Sequence, residues 1–315
     1  MKNKPLIPIF YACDDAFAKY CAVSIKSLIT NSSKDYNYKI YILHTTISDN
    51  MKIHFDSLST EQHLIEFFDV SEFLDKIKNE LPIRHYYSKT TYYRLFIAEQ
   101  FTQYDKAIYL DSDTIVEGDI SEMYNYDVSN YYLGACHEQV MIQVDVYGTY
   151  VEEVLGISRH NFFNAGILLI NCKAFREQKV LEQFITLLHE YNFIVTQDED
   201  YLNFICHNKV LWLPQEWNTE LAVPDLPSFD TVRIFHYIMV SKPWQYKDCV
   251  ASEYFWKYAK LTTCYDLIIE SLNNYSDADK KSDIETSNSL YQMAINEINR
   301  EDNFLKRRKA LANKN

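Results

Sequence analysis

The first third of the chain alternates short apolar runs with segments whose apolar residues recur every three or four positions. The runs predict β-strands, because nearly continuous apolar residues are typical of strands that are covered on both faces. They lie at Ile7–Cys13, Lys39–His44, Leu64–Val70 and Ala107–Leu110. The intervening segments predict helices at Phe17–Leu28, Asn50–Leu58 and Thr90–Phe101. This alternation predicts an α/β fold, a mainly parallel sheet flanked by helices, with ligands bound at the carboxyl ends of the strands.

The remainder of the chain continues this pattern less regularly. Further strands are predicted at Ala165–Ile170, Trp212–Pro214 and Val232–His236, and a helix at Lys173–Tyr191. The polar segment Ser271–Ser289 predicts a linker, and Leu290–Leu311 predicts a last helix with one apolar side and a basic end. We therefore expect a main domain over residues 1–265 and a small C-terminal helical extension over residues 266–315. The last helix has the features of a membrane-surface element, and equally those of a helix docked on the main domain.

Charge and cysteine content restrict the partners and the compartment. A formal net charge of −13 argues against nucleic acid as a partner, although a nucleotide needs only one local positive site or a metal. The seven scattered cysteines form no C-x-x-C pair, which predicts reduced thiols and no zinc site. Neither a secretory signal nor a transmembrane run is recognisable. We expect a cytoplasmic protein, with peripheral contact to the inner face of the membrane through the last helix as an alternative.

Two aspartates supply the strongest local signal for chemistry. The five glycines form neither a dinucleotide-binding loop nor a P-loop, so a diphosphate would have to be held by a metal and side chains. Asp111 and Asp113 leave the end of an apolar strand one residue apart, and a regular strand would point both carboxylates the same way. Such oxygen ligands suit Mg²⁺ or Mn²⁺ carried by a diphosphate. A lone D-x-D is a weak signal in so acidic a chain, and the alternative is a solvated strand end.

Four further elements are candidates for a site rather than for a core. His236 closes an apolar strand, where a neutral imidazole would complete the metal site, and Lys242 would interact with a phosphate. Asn164 interrupts an apolar strand and needs a hydrogen-bond partner such as a substrate hydroxyl. The acidic triplet at 198–200 precedes an apolar helical run. The alternatives are a buried histidine, a solvated lysine and acidic residues that complement a helix dipole.

Six motifs in order carry a family resemblance. They are F-Y-A-C-D-D at 10–15, T-T-Y-Y-R-L at 90–95, Y-L-D-S-D at 109–113, F-N-A-G-I-L-L-I-N at 163–171, D-E-D-Y-L-N at 198–203 and H-Y-I-M-V-S-K-P-W at 236–244. Together they resemble glycosyltransferase family 8, and the bacterial lipopolysaccharide-type enzymes more than glycogenin. The resemblance covers roughly residues 7 to 250 and implies a GT-A (Rossmann-like) fold.

The resemblance also implies an activity and a set of site residues. The activity is retaining transfer of a hexose, glucose or galactose, from a UDP-sugar to a glycan, lipid-linked or protein-linked acceptor. Mn²⁺, with Mg²⁺ as an alternative, would be bound by Asp111, Asp113 and His236. Nucleotide-sugar contacts are implied for Asp14 at the uracil edge, Phe17 on the base, the backbone near Ser112 at the ribose, Arg94 and Glu138 at the donor sugar, and Lys242 at the diphosphate. Catalytic roles are implied for Asn164 and Asp198 at the donor sugar and for Glu199 beneath the anomeric carbon.

Four positions depart from the family pattern. Met239 stands where a glycine often gives backbone access to phosphate, and Ala16 replaces a polar residue near the base. Glu199 and Glu138 stand where glutamine and aspartate are common, so glucose and galactose donors both stay open. Two rival functions also stay open: a nucleotidyltransferase, disfavoured because no glycine-rich loop follows the first strand, and a non-catalytic nucleotide-sugar-binding protein.

Overall fold

The computed structural model describes residues 4–75 and 89–313. Its strands are β1 (Leu6–Ala12), β2 (Asn37–His44), β3 (His63–Asp69), β4 (Lys106–Leu110), β5 (Thr114–Val116), β6 (Leu133–Ala135), β7 (Ile167–Asn171), β8 (Val210–Trp212), β9 (Thr219–Glu220) and β10 (Ile234–His236). The α-helices are α1 (Asp15–Asn31), α2 (Asp49–Asp56), α3 (Ser71–Asp75), α4 (Ile97–Gln100), α5 (Ile120–Tyr124), α6 (Gln139–Gln143), α7 (Asp145–Tyr150), α8 (Cys172–Glu177), α9 (Val180–Glu190), α10 (Asp198–Cys206), α11 (Ser252–Ala259), α12 (Tyr265–Asn274), α13 (Asp277–Asn299) and α14 (Phe304–Ala312).

The central sheet confirms the predicted α/β class. In the described part of the chain, seven strands pair in the order β3-β2-β1-β4-β7-β6-β8. The first four of these are parallel to one another, whereas β7 runs antiparallel to both of its neighbours. Six of the seven residues of β1 are buried, as expected for a strand with helices on both faces of the sheet. The architecture is that of the GT-A fold predicted from the sequence.

The reversed direction of β7 brings a second loop to the carboxyl edge of the parallel strands. The start of β7 pairs with the end of β4, so that Ile167 lies opposite Leu110. The amide of Asp111 then donates to the carbonyl of Gly166 across 2.7 Å. The residues before β7, including Asn164, therefore lie beside the residues that follow β4.

A smaller sheet brings the third predicted metal ligand to the same edge. Strand β10 pairs antiparallel with β5, which starts directly after Asp113, and His236 lies opposite Thr114. The amide of Tyr237 donates to the carbonyl of Asp113 across 3.0 Å. Backbone pairing thus fixes His236 next to a residue more than 120 positions earlier in the chain.

The helices predicted over Thr90–Phe101 and Lys173–Tyr191 are interrupted in the structure. Residues 89–96 form a 3₁₀-helix before the short helix α4, where the sequence pattern predicted one α-helix over Thr90–Phe101. The helix predicted over Lys173–Tyr191 divides into α8 and α9, because Lys179 adopts a left-handed backbone conformation with φ 54°. Apolar spacing alone does not report either interruption, since the spacing on both sides remains helical.

The predicted polar linker is wrong: most of Ser271–Ser289 is helical. Helix α12 continues to Asn274, and α13 begins at Asp277. Ser276 and Asp279 form a reciprocal capping box at the start of α13, and Lys281 pairs with Glu285 one turn later. Polar composition did not distinguish a solvated helix from a loop, whereas the lack of glycine and proline over this stretch favoured a helix.

The C-terminal helices pack on the main domain. The predicted last helix is divided by residues 300–303 between the end of α13 and α14, and the five residues of its apolar side are at least partly buried: Leu290, Met293, Ala294, Ile298 and Leu305. The cation Arg307 pairs with Asp302, and Arg308 pairs with Glu190. This apolar side therefore contacts protein, which favours the docked alternative over a membrane-surface element. In the described residues, no helix is both long enough and apolar enough to cross a membrane.

Phe304 tests this docking. It is 2% exposed and packs against Tyr191, Phe193 and Phe204. We expect Phe304→Ala to lower the free energy of unfolding by about 3–5 kcal/mol, because the change leaves a cavity in an aromatic cluster. Leu311→Ala, at a residue that is 61% exposed, is the control and should change it by less than about 0.5 kcal/mol. Equal effects of the two changes in urea denaturation would contradict the docked arrangement.

Candidate active site

A cavity of about 720 Å³ opens at the carboxyl edge of the parallel strands. Its lining includes the segments that follow β1, β4, β6 and β10, the segment that precedes β7, and the start of α10. Every site residue predicted from the sequence lines this cavity: Asp14, Phe17, Arg94, Asp111, Ser112, Asp113, Glu138, Asn164, Asp198, Glu199, His236 and Lys242. The roles assigned to them stay predictions, but the fold brings all of them together.

The three predicted metal ligands converge in the cavity. One ligand atom from each of Asp111, Asp113 and His236 lies within 4.8 Å of the other two. The His236 Nε2 atom is 3.3 Å from Asp113 Oδ1 and 3.9 Å from Asp111 Oδ2. Gly166 permits this approach, because a Cβ atom there would lie 2.4 Å from the His236 ring and 2.6 Å from Asp111 Oδ2. Two carboxylates and an imidazole form a donor set that suits Mn²⁺.

A buried asparagine that the sequence analysis missed orients the histidine. The Asn218 side chain is fully buried, and its Oδ1 atom lies 3.0 Å from His236 Nδ1. An amide oxygen only accepts, so Nδ1 must carry the proton and the neutral ring presents an Nε2 lone pair to the aspartates. Asn218 Nδ2 donates to Asn164 Oδ1 across 2.9 Å, which fixes the amide orientation. No sequence motif marks Asn218; only tertiary contact identifies it.

Lys242 supplies positive charge beside the aspartates. Its ammonium donates to Asp113 Oδ2 across 2.5 Å and to the carbonyl of Tyr237. Burial opposes ionisation of Asp113, yet the ammonium of Lys242 holds the pKa of this carboxyl well below its usual range. Asp113 is therefore an anion at neutral pH, as a metal ligand must be.

Arg94 neutralises two further carboxylates. Its guanidinium lies 2.9 Å from Asp198 Oδ2 and 3.4 Å from Asp111 Oδ1, and 4.6 Å above the ring of Tyr109. Burial raises the pKa of Asp198 to about 6, and Arg94 limits this rise. The Arg94 side chain also donates to the carbonyl of Ala165, so it links the loop before β7 to the start of α10.

Glu138, Asn164 and Glu199 form a connected acidic floor. Asn164 Nδ2 donates to Glu138 Oε2 across 2.5 Å, and the Ala165 amide donates to Glu199 Oε2 across 2.8 Å. Burial and the neighbouring Glu138 raise the pKa of Glu199 well above its ordinary value. The third member of the acidic triplet, Asp200, points elsewhere and accepts a hydrogen bond from Tyr150. The triplet thus combines cavity residues with one core residue.

The cavity lining also includes the residues that the resemblance assigned to the nucleotide. Asp14 caps α1 by accepting from the Phe17 amide across 2.9 Å. The Phe17 ring is 37% exposed and lies edge-on to Trp244, at 5.9 Å between ring centroids. The Ser112 hydroxyl donates to the carbonyl of Ala12, so the side chain of Ser112 is already engaged. Ser112 itself lines the cavity. An exposed aromatic face beside a carboxylate suits a planar base.

Met239 occupies a glycine-like backbone conformation. Its φ is 61°, in the left-handed region that a residue with a side chain rarely adopts, and the residue lines the cavity. The chain therefore keeps the backbone geometry that a glycine favours while adding a side chain. The contact to phosphate that the family glycine often gives stays open at this position.

The sequence of the chain matches a known protein family. The family model for glycosyl transferase family 8 matches residues 8–248. The chain belongs to glycosyl transferase family 8. This confirms the family predicted from the six motifs, and the matched segment contains every predicted site residue.

Individual relatives agree with the family assignment. A Haemophilus influenzae protein, whose glycosyltransferase name is itself provisional, is 34% identical over 67% of this chain, and the chain spans 62% of that protein. A lipopolysaccharide 1,2-glucosyltransferase of Escherichia coli K12 is 24% identical over 75% of this chain and 72% of its own length. A crystal structure of the galactosyltransferase LgtC with donor and acceptor sugar analogues matches with a TM-score of 0.68 and 25% identity. That match covers 82% of this chain and 96% of LgtC.

Asn218 provides a test of the metal site in this family 8 protein. We expect Asn218→Ala to weaken Mn²⁺ binding about 10- to 100-fold, because His236 loses the acceptor that fixes its ring. Asn218→Asp keeps an acceptor oxygen and should recover part of that affinity. Calorimetric titration with Mn²⁺ measures both variants, with exposed Asn288→Ala as the control. Unchanged affinity in Asn218→Ala would show that the cluster does not bind the ion through His236.

Proposed function

We propose that this protein transfers glucose or galactose from a UDP-hexose to a hydroxyl group of a glycan, lipid-linked or protein-linked acceptor. The transfer retains the anomeric configuration and depends on Mn²⁺, with Mg²⁺ as an alternative. The observation that carries the proposal is the convergence of the Asp111–Asp113–His236 cluster and Lys242 with the Glu138–Asn164–Glu199 floor in one cavity. Glucosyl- and galactosyltransferases among its relatives support a hexose donor.

The residues around the cluster are suited to holding a diphosphate. Mn²⁺ bound by Asp111, Asp113 and His236 would supply Lewis-acid stabilisation of the negative charge that grows on the leaving diphosphate. Lys242, 2.5 Å from Asp113, would add a point charge beside the same phosphate. Phe17 and Asp14 would then bind the uracil ring by its face and its edge.

The floor of the cavity is suited to binding the hexose. Asn164 and Glu138 form one hydrogen-bonded unit, so their remaining polar atoms present a fixed pattern to sugar hydroxyls. Arg94 keeps Asp198 within reach of the same sugar. Holding the donor in one orientation is itself a large part of catalysis, because it removes the entropic cost of alignment from the chemical step.

Glu199 is better suited to electrostatic stabilisation than to nucleophilic attack. Its hydrogen bond from the Ala165 amide fixes one carboxylate oxygen. Burial and Glu138 raise the pKa of Glu199, which weakens it as a nucleophile, whereas a positive charge that develops beside the carboxyl in the transition state favours the ionised form that a stabiliser needs. Both routes to retention stay open: double displacement through a carboxylate, and same-face attack in which the departing phosphate accepts the proton of the acceptor hydroxyl.

The metal dependence is the first test of this function. With purified protein, UDP release from UDP-glucose or UDP-galactose should require Mn²⁺, stop with EDTA and return when Mn²⁺ is restored. Asp113→Asn and Asp111→Asn should reduce it to background, because each removes an anionic ligand. Asp49→Asn, at a fully solvated carboxylate, should leave it unchanged. Full activity in chelator would contradict the metal role, and UDP binding without release from either donor would favour a non-catalytic binding protein.

Glu199→Gln distinguishes the two roles of the floor carboxylate. If Glu199 is a stabiliser, removal of its charge should lower kcat about 10- to 100-fold, equivalent to about 1.4–2.7 kcal/mol of barrier. Glutamine keeps the acceptor oxygen for the Ala165 amide, so the fold of the loop should not change. If Glu199 is the nucleophile, the Glu199→Gln variant should lose nearly all activity. Mass spectrometry of the wild-type protein with donor alone would then detect a hexose adduct on its peptide, and wild-type kcat in the variant would exclude both roles.

A further inference from the structure

A further buried glutamate lies behind the acidic floor of the cavity. Glu220 ends the short strand β9 and is 1% exposed. Glu138 lines the cavity, whereas Glu220 lies outside the lining. The two side chains are nevertheless in hydrogen-bond contact with each other. Glu220 therefore touches the predicted donor-sugar site from behind, through Glu138.

The two carboxyl groups differ in the donors that surround them. Both oxygens of Glu138 accept a hydrogen bond, Oε1 from the Val140 amide across 3.0 Å and Oε2 from Asn164 Nδ2 across 2.5 Å. Glu220 Oε2 accepts from the Gln139 amide across 3.1 Å, but its buried Oε1 atom meets no donor among the residues that the structure describes. Hydrogen bonds to a carboxylate favour its ionised form, so Glu138 is the better placed of the two to carry a charge.

The cations of the cavity do not compensate a second charge at this pair. Arg94 and Lys242 pair with aspartates, and in the described part of the chain no ion pair includes Glu138 or Glu220. Burial raises the pKa of Glu220 well above its ordinary value, and the charge of Glu138 adds to the rise. Two carboxyl groups in contact without a cation have to share a proton, because an ionised carboxylate only accepts. A proton on Glu220 makes that group a donor for Glu138.

We propose that Glu220 is a positioning residue for the donor sugar, which donates a hydrogen bond from its carboxyl group to the Glu138 carboxylate. This inference rests on the proposed hexosyl transfer, in which Glu138 accepts from a hydroxyl group of the sugar. An O–H group that donates to an ionised carboxylate forms one of the stronger hydrogen bonds in proteins. Together with the donors at Val140 and Asn164, this contact fixes the long Glu138 side chain, so its remaining lone pairs keep one direction towards the sugar.

The arrangement has separate consequences for the sugar and for the nucleotide. Glu138 belongs to the predicted hexose site, whereas Asp14 and Phe17 belong to the predicted uracil site. Loss of the donor at Glu220 should therefore weaken the binding of UDP-hexose and leave the binding of UDP as it was. General damage to the fold would instead weaken both.

Variants that keep or remove the donor test the proposal. Glu220→Gln keeps the length of the side chain and supplies an amide that donates to Glu138 and accepts from Gln139. Glu220→Met keeps the length and removes both contacts, and Glu220→Asp withdraws the carboxyl group by the length of a methylene. Glu297→Met is the matched control, because Glu297 is likewise buried and hydrogen-bonded, to Tyr191, but lies outside the cavity lining.

One assay measures both affinities. Release of labelled hexose to water from UDP-glucose or UDP-galactose, with Mn²⁺ present, gives the KM for the donor, and inhibition by added UDP gives the inhibition constant of the nucleotide alone. Thermal unfolding verifies the fold of each variant. Glu220→Met and Glu220→Asp should raise the donor KM about tenfold or more and change the UDP inhibition constant by less than about twofold, because only the sugar contact is lost. Glu220→Gln and Glu297→Met should stay within about threefold of the wild type in both constants.

Each contrary result has a definite meaning. A wild-type donor KM in Glu220→Met overturns the proposal and, if that variant does not fold, a wild-type donor KM in Glu220→Asp does so. A loss in Glu220→Gln as large as in the other Glu220 variants also overturns it, because the amide supplies the same donor. Parallel weakening of UDP and UDP-hexose, or a raised donor KM in Glu297→Met, would show that the effect is structural and would overturn the positioning role. Absence of hexose release in the wild type would instead contradict the proposed function itself.

Discussion

The structure depends on the neutralisation of five carboxylates that lie close together in a partly buried cavity. Asp111, Asp113, Asp198, Glu138 and Glu199 line the same 720 Å³ space, and like charges at this density would destabilise the fold. Arg94 pairs with two of the aspartates and Lys242 pairs with the third. The two glutamates are accommodated by hydrogen bonds from Asn164 and a backbone amide, and by a raised pKa at Glu199. A divalent cation and a diphosphate would enter a site whose three aspartates are already paired with an arginine and a lysine.

Strand direction is what allows this arrangement. Parallel strands deliver the ends of β1 and β4 to one edge of the sheet, and the antiparallel β7 delivers its beginning to that edge. The loop at 164–166 can therefore contribute an asparagine, a backbone amide and a glycine that leaves room for Asp111 and His236. The β5–β10 pairing adds His236. A sheet with β7 parallel would direct that loop to the opposite edge, away from the aspartates.

The C-terminal helices connect stability to the site. Their apolar residues join the core beside α7 and α9, and Asp283 ties α13 to the turn that carries Lys242. The same segment therefore completes the packing of the domain and lines the cavity.

The sequence by itself determined the α/β class, the family and the residue types of the site. Continuous apolar runs report strands buried on both faces, and six ordered motifs carry the residues that line the cavity. It did not report Asn218, because hydrogen bonding to His236 depends on a contact that no local pattern encodes. It also predicted a linker where α13 lies, because polar residues suit a loop and a solvated helix face equally well. Only the tertiary structure decided which side of that helix meets the cavity, since burial of Leu290 and Ala294 against the core fixes its rotation.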